Sequence, residues 1–220
     1  MTRYDRRFRA LAMFLSAVAG FVDAVAFIQL GGFFVSFMSG NSTRLAVALA
    51  EGSSKAALAA GLIVLFMIGV VAGSLVGRVT HHRRAIIVIF VALVLTVAAI
   101  CGAVGAPSGA IAAMALAMGA ENAVFEDDGE VRIGLTYMTG TLVKGGQRIA
   151  AALTGGERWG WAPYLLQWFG LTVGAVCGAL SYPLLGLGSL WIAVAALILA
   201  AFAAARLDAG KPRSTTNAPL

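Results

Sequence analysis

Phe37-Met38-Ser39-Gly40-Asn41 and Tyr137-Met138-Thr139-Gly140-Thr141 lie 100 residues apart and read nearly alike. Aromatic, Met, hydroxyl, Gly and a small polar residue recur in the same order, which marks the chain as a duplicated unit. Flanking residues keep almost the same offset. Gly20, Asp23 and Ala24 are echoed by Gly119, Asn122 and Ala123, and Gly69, Gly73 and Gly77 by Gly170, Gly174 and Gly178. The repeats so defined cover about 10–105 and about 109–206, leaving 207–220 as a Pro/Ser/Thr-containing tail expected to be disordered and cytoplasmic.

Composition sets the solvent in which these repeats fold. With 60% hydrophobic and 12% charged residues and a mean hydropathy of +0.90, the chain cannot cover a water-soluble globule with polar groups. Apolar runs near 10–30, 56–78, 85–104, 109–125, 162–184 and 188–206 are each close to the roughly 20 helical residues that cross a bilayer. Unbroken Leu, Ala, Val and Ile lack the alternation of a barrel strand, so the expected fold is an all-α polytopic bundle. Arg3, Arg6, Arg7 and Arg9 precede an apolar stretch ending at Ala17-Val18-Ala19, a pattern shared with signal peptides. The apolar run continues past that site and the repeat includes Gly20 and Asp23, so the segment reads as retained.

Segments 33–50 and 133–150 carry the duplicated motif and decide the topology. Eighteen helical residues reach only about 27 Å, enough barely to span or to enter and return. If neither spans, the chain has six spans as two inverted three-helix repeats, each with a short Gly-broken or re-entrant helix. If both span, it has eight helices as 4+4 repeats. The six-span reading places Arg78, Arg83, Arg84, Arg158, Arg206, Lys211 and Arg213 on the side of the N-terminal arginines, with only Arg44 and Lys55 opposite. The positive-inside rule therefore favours it, with both termini in the cytoplasm.

Candidate site residues follow from polarity inside apolar runs. Asp23 would cost roughly 2.5–3.5 kcal/mol on insertion scales, so it should face protein or water and have a partner. Glu121 and Asn122 occupy the related place in the second repeat, and Gln29, Asn41 and Gln147 add polar groups nearby. Gly40 and Gly140 tolerate helix-breaking angles, and Ser39, Asn41, Thr139 and Thr141 can cap a following half-helix whose positive end holds an anionic group. The ladders Gly69, Gly73, Gly77 and Gly170, Gly174, Gly178 suit close helix packing.

Other chemistry is thinly represented. Cys101 and Cys177 sit in separate apolar segments, and His81 and His82 are adjacent in a basic loop, so no metal-ligand spacing appears and no metal or cofactor is expected. Glu126, Asp127, Asp128 and Glu130 form an acidic loop that reads as solvated. No nucleotide loop or nucleophile elbow is present, so an enzyme is not expected. The net charge of +6 fits contact with anionic lipid and requires no nucleic acid.

Gly20-Phe21-Val22-Asp23-Ala24, Phe27 and the two Met-Ser/Thr-Gly motifs resemble the YoaK-type family of uncharacterised bacterial membrane proteins of about this length, over nearly the whole chain. Members typically read Met-Thr-Gly-Asn where this chain has Met38-Ser39-Gly40-Asn41, and often Gln-Asn where it has Glu121-Asn122. The resemblance implies a six-span inner-membrane protein and brings no activity. The expected function is a small-solute transporter of the bacterial cytoplasmic membrane, proton- or ion-coupled through Asp23 and working by rocking of its halves. A non-transporting scaffold or partner subunit is the alternative. Expected partners are the bilayer, a small solute and, as an open alternative, a second copy of the chain.

Overall fold

Apolar side chains along these runs leave the backbone no water to bond with, and each run closes its amides into a helix. A computed structural model describes residues 6–79, 82–127, 130, 131 and 133–209. Its elements are α1 (Arg6–Gln29), α2 (Met38–Ala50), α3 (Lys55–Arg78), α4 (Arg83–Ala103) and α5 (Pro107–Glu121). A 3-10 turn (Asn122–Phe125) and a two-stranded ribbon, β1 (Glu126–Asp127) and β2 (Glu130–Val131), follow. Then come α6 (Met138–Leu153), α7 (Ala162–Leu185), a second 3-10 turn (Gly186–Ser189) and α8 (Leu190–Ala209).

The span count corrects both sequence readings. Five helical runs among the described residues are long and apolar enough to cross a membrane: Arg6–Gln29, Lys55–Arg78, Arg83–Ala103, Pro107–Phe125 and the 48-residue run Ala162–Ala209. The expected eight helices as 4+4 repeats fail because α2 has 13 residues and α6 has 16, too few for a core of about 30 Å. The expected six spans are not matched either: the runs read at 162–184 and 188–206 fall within the single qualifying run Ala162–Ala209, which leaves five. Gly186-Leu187-Gly188-Ser189 joins α7 to α8 as a 3-10 turn, entered at Gly186 with φ of +54°. The inverted three-plus-three arrangement rested on that count and falls with it.

The expected glycine break is also relocated. α2 and α6 run unbroken through Gly40 and Gly140. In the first half the chain turns at Gly31 and Gly32, where φ is +62° and +110°, angles that glycine adopts without a Cβ penalty. A side chain at Gly40 would strike the Phe37 ring, and one at Gly140 the Tyr137 ring. These glycines make room for an aromatic ring.

α1 packs against α7 and α8, α3 against α5, and α4 against α5 and α8. α1 and α7 run in the same direction, because Ser16 meets Gln167 and Gln29 meets Tyr182. α3 and α5 also run together, Gly69 meeting Leu116 and Gly73 meeting Ala120. Fully buried Leu15, Val22, Ile87, Leu95, Met114 and Leu197 fill the spaces between these pairs. α8 continues through Asp208 to Ala209, and the tail from 210 lies outside the described residues, as do His81 and Asp128.

Candidate functional site

The segment after α1 turns back and runs beside the helix it has just left. Val35 and Ser36 return to Asp23, six residues or about 9 Å before the end of α1 at Gln29. Asp23 Oδ1 accepts the Val35 amide at 2.7 Å and the Ser36 amide at 2.9 Å, and Oδ2 accepts the Ser36 hydroxyl at 2.9 Å. Asn41 adds a second clamp: its Nδ2 donates to the Phe34 carbonyl at 2.6 Å and its Oδ1 accepts the Phe34 amide at 3.1 Å. Asp23 thus meets three donors, the arrangement that makes an ionised carboxylate tolerable away from water.

In the second half Thr136 returns to Asn122, its hydroxyl donating to Oδ1 at 3.1 Å, while Asn122 Nδ2 donates to the Met118 carbonyl at 2.9 Å. Thr141, at the place of Asn41, donates its hydroxyl to the Tyr137 carbonyl within its own turn. The remaining ties come from elsewhere in the bundle. Ser16 of α1 donates to the Leu135 carbonyl at 2.9 Å, and Gln167 Nε2 of α7 donates to the Gly134 carbonyl at 2.9 Å and to Ser16 Oγ at 3.2 Å. Ser16 and Gln167 are buried, and Gln167 Oε1 has no partner among the described residues.

Glu121 stands apart from both clamps. It ends α5, is 0% exposed, and neither carboxyl oxygen has a hydrogen-bond partner among the described residues. Its predecessor Ala120 lies against Gly73 of α3. On the adjoining α4, Arg83 is ion-paired with Glu126 at 3.0 Å and Arg84 with Asp208 at 2.9 Å. Val22, one residue before Asp23 as Glu121 is before Asn122, is also fully buried. The second half therefore holds an acid where the first half holds a core valine.

The structure brings Asp23 and Asn41 together around one loop, and Asn122 beside the other. Ser39 and Thr139 are exposed and supply no side-chain cap, and Gln147 is exposed on α6. α2 packs on α3 and α6 on α7, so the two motifs occupy separate sites. Sequence reasoning missed Ser36, Thr136, Ser16 and Gln167. Ser36 and Thr136 extend the duplicated motif by one hydroxyl residue, a signal that was present. Gln167 was a lone amide in an apolar run; Ser16 carried no signal of its own.

The glycine ladders lie at helix crossings. A Cβ at Gly174 would strike the Ala17 carbonyl and one at Gly178 the Phe21 carbonyl, while at Gly170 it would come within 2.9 Å of the Met13 carbonyl. Across α3, Gly69 meets the Leu116 carbonyl, and a Cβ at Gly73 would lie 2.7 Å from the Ala120 carbonyl. Gly77 differs, meeting the side chains of Arg83 and Ile87 at 2.9 Å. At this end of the bundle Ser74 donates to Glu126 Oε2 at 2.6 Å. Burial alone would raise the Glu126 carboxyl, but the Ser74 hydrogen bond and the charges of Arg83 and Arg78 hold it below the usual glutamate range.

Long apolar helices, internally tied loops and helix crossings built on glycine define a multi-pass helical membrane protein, consistent with an inner-membrane location. Residues 11–203 match the family described as "Protein of unknown function (DUF1275)", and the chain belongs to that bacterial integral-membrane family. It is 35% identical over 195 residues to the UPF0700 transmembrane protein RA0705 of Rhizobium meliloti (strain 1021), covering 88% of this chain and 85% of that protein. No solved structure matches.

Proposed function

We propose that this protein is a small-solute transporter of the cytoplasmic membrane, with a proton as the coupling ion and Glu121 as its carrier. The observation supporting this is the Glu121 carboxyl, enclosed at a helix crossing without a hydrogen bond to either oxygen. An acid kept for structure is expected to resemble Asp23, with its oxygens occupied. An unoccupied acid in a bilayer costs stability, and intramembrane acids of this kind mark proton and ion pathways. A lone carboxyl also suits a proton better than a metal cation, which draws several oxygen ligands; no group of three His, Cys, Asp or Glu occurs among the described residues.

This reading moves the coupling role from Asp23, where the sequence put it, to Glu121. Arg78, Arg83, Arg84 and Arg206 gather with the start of α1 at one end of the bundle, as the Arg84 guanidinium over the Phe8 ring requires. The positive-inside rule assigns that end to the cytoplasm. The second reading, a membrane scaffold, is favoured by the backbone-to-backbone crossings at Gly174 and Gly73, which suit a rigid bundle.

The test is uptake from a metabolite library into proteoliposomes, with and without an imposed pH gradient. The transporter reading expects at least one solute whose accumulation follows the gradient and is lost in Glu121→Gln. No gradient-dependent solute across the library, with folded protein inserted, supports the scaffold.

A further inference from the structure

We propose that the groove between α1 and α8 is a binding site for one anionic phospholipid, its phosphate held by Arg7 and Arg206 and one acyl chain laid along Leu11, Phe14, Leu199 and Ala203. The groove has a volume of about 570 Å³ and is lined almost entirely by apolar side chains, with the two arginines at one end. The sequence builds it by helical spacing. Arg7, Leu11 and Phe14 fall at i, i+4 and i+7 on one face of α1, and Leu199, Ala203 and Arg206 do the same on α8. The N-terminal end of α1 and the C-terminal end of α8 converge on Arg84, which stacks on Phe8 and pairs with Asp208. That convergence sets Arg7 and Arg206 at the same end of one groove.

Charge selects the occupant. Arg7 and Arg206 are both exposed and neither has an acidic partner among the described residues. The one acid close in sequence to Arg206 is spent elsewhere: Asp208 takes the Arg84 guanidinium at 2.9 Å and the amides of Arg84 and Ala85 at 3.1 and 3.3 Å. Two guanidiniums without an acidic partner among the described residues, set over an apolar trough, present donors to a phosphate and a dry track to a chain, and Arg matches phosphate geometry in a bidentate fashion. Phe14 is 40% and Leu199 66% exposed, so the trough is open to the acyl region. From Arg7 to Phe14 it follows about 10 Å of helix, enough for the upper part of an acyl chain. A zwitterionic lipid would bring its own cation against the two arginines, and free phosphate would leave the trough empty.

Delipidated full-length protein is titrated with phosphatidylglycerol and with phosphatidylcholine, and bound lipid is counted by native mass spectrometry. At roughly fivefold per arginine near the surface, the pair predicts about a 25-fold preference for phosphatidylglycerol. Arg7→Gln/Arg206→Gln should remove that preference, whereas Lys144→Gln/Arg148→Gln, the same change of charge on exposed α6 positions, should leave it intact. Ala203→Trp, which fills the trough and keeps both arginines, should lose the lipid as well, and millimolar inorganic phosphate should not displace it. Size-exclusion profiles and melting temperatures identify variants that fail to fold. Equal loss in the two double variants, or full retention in Ala203→Trp, would overturn the site in favour of general attraction of anionic lipid to a basic protein.

Discussion

The loop at 33–37 and the loop at 133–137 follow matching stretches of sequence, after α1 and after α5, yet they are tied down differently. The first is held by its own half, through Asp23 of α1 and Asn41 of α2. The second is held by Asn122 and by Gln167 of α7 in its own half, and across the halves by Ser16 of α1. The same backbone problem, a turn inside an apolar bundle whose amides and carbonyls need partners, is solved with a carboxylate once and with neutral groups once. An acid at Asp23 is therefore one of two workable clamps, and its presence alone does not identify a coupling site. Glu121, which clamps nothing, is the group the comparison leaves unexplained by structure.

The largest effects should come from the helix crossings that the two halves share. Gly174→Ala and Gly73→Ala each place a Cβ on a facing carbonyl, and each should lose about 3 kcal/mol or more, at the upper end of overpacking costs. Gly77→Ala, facing only the Arg83 and Ile87 side chains, should cost about 1 kcal/mol. Unfolding in graded detergent mixtures measures all three. Equal losses would mean that the ladder positions are interchangeable and that the backbone approach is not what selects glycine.

The clamps come next. Asp23→Asn keeps an oxygen for the Val35 and Ser36 amides but makes it a weaker acceptor and sets an NH2 against the Ser36 hydroxyl, and should destabilise by about 1–2 kcal/mol. Asn122→Ala removes the Thr136 hydroxyl contact and the bond to the Met118 carbonyl, both neutral, and should cost about 1 kcal/mol. Hydrogen exchange localises the damage: Asp23→Asn should speed exchange at Val35 and Ser36 and spare 133–137, while Ser16→Ala with Gln167→Leu should do the reverse. Exchange that rises in both loops with either variant would break the claim that the clamps are independent.

Much of this was legible in the sequence, and the rest was not for identifiable reasons. Mean hydropathy and unbroken apolar runs announced a multi-pass helical membrane protein, because the backbone in lipid has few options. The number of spans was not legible. Gly186-Leu187-Gly188-Ser189 reads as a loop, and in the structure it is a 3-10 turn between α7 and α8. Gly40 and Gly140 read as breaks because glycine permits them, whereas in the segment between α1 and α2 the positive φ angles fall at Gly31 and Gly32. Asp23 was visible as an acid in an apolar run, but its partners Val35 and Ser36 depend on how the chain folds back. Ser16 and Gln167 act on carbonyls at 135 and 134, contacts set by tertiary packing alone.

The smallest effect concerns the acid outside the spans. Glu126 is held below its ordinary range by Ser74, Arg83 and Arg78 against the opposing effect of burial. A carboxyl depressed in the folded state stabilises at pH above its unfolded value, and that contribution is lost as pH falls through the folded value. Melting temperature should therefore drop slightly on acidification below about pH 4.5, and Glu126→Gln should flatten that part of the profile. An unchanged profile in Glu126→Gln would assign the acid sensitivity to other groups.

The most direct test sets Glu121 against Asp23 at matched amounts of folded, inserted protein. Flux of a transported solute driven by a pH gradient should vanish in Glu121→Gln while its melting temperature equals or exceeds that of the wild type, since replacing an unpartnered buried acid removes a cost. Asp23→Asn should show the opposite pattern, a lower melting temperature with gradient-driven flux per folded molecule retained. Full gradient-driven flux in Glu121→Gln, together with its loss in stably folded Asp23→Asn, would contradict the account and return the coupling role to Asp23.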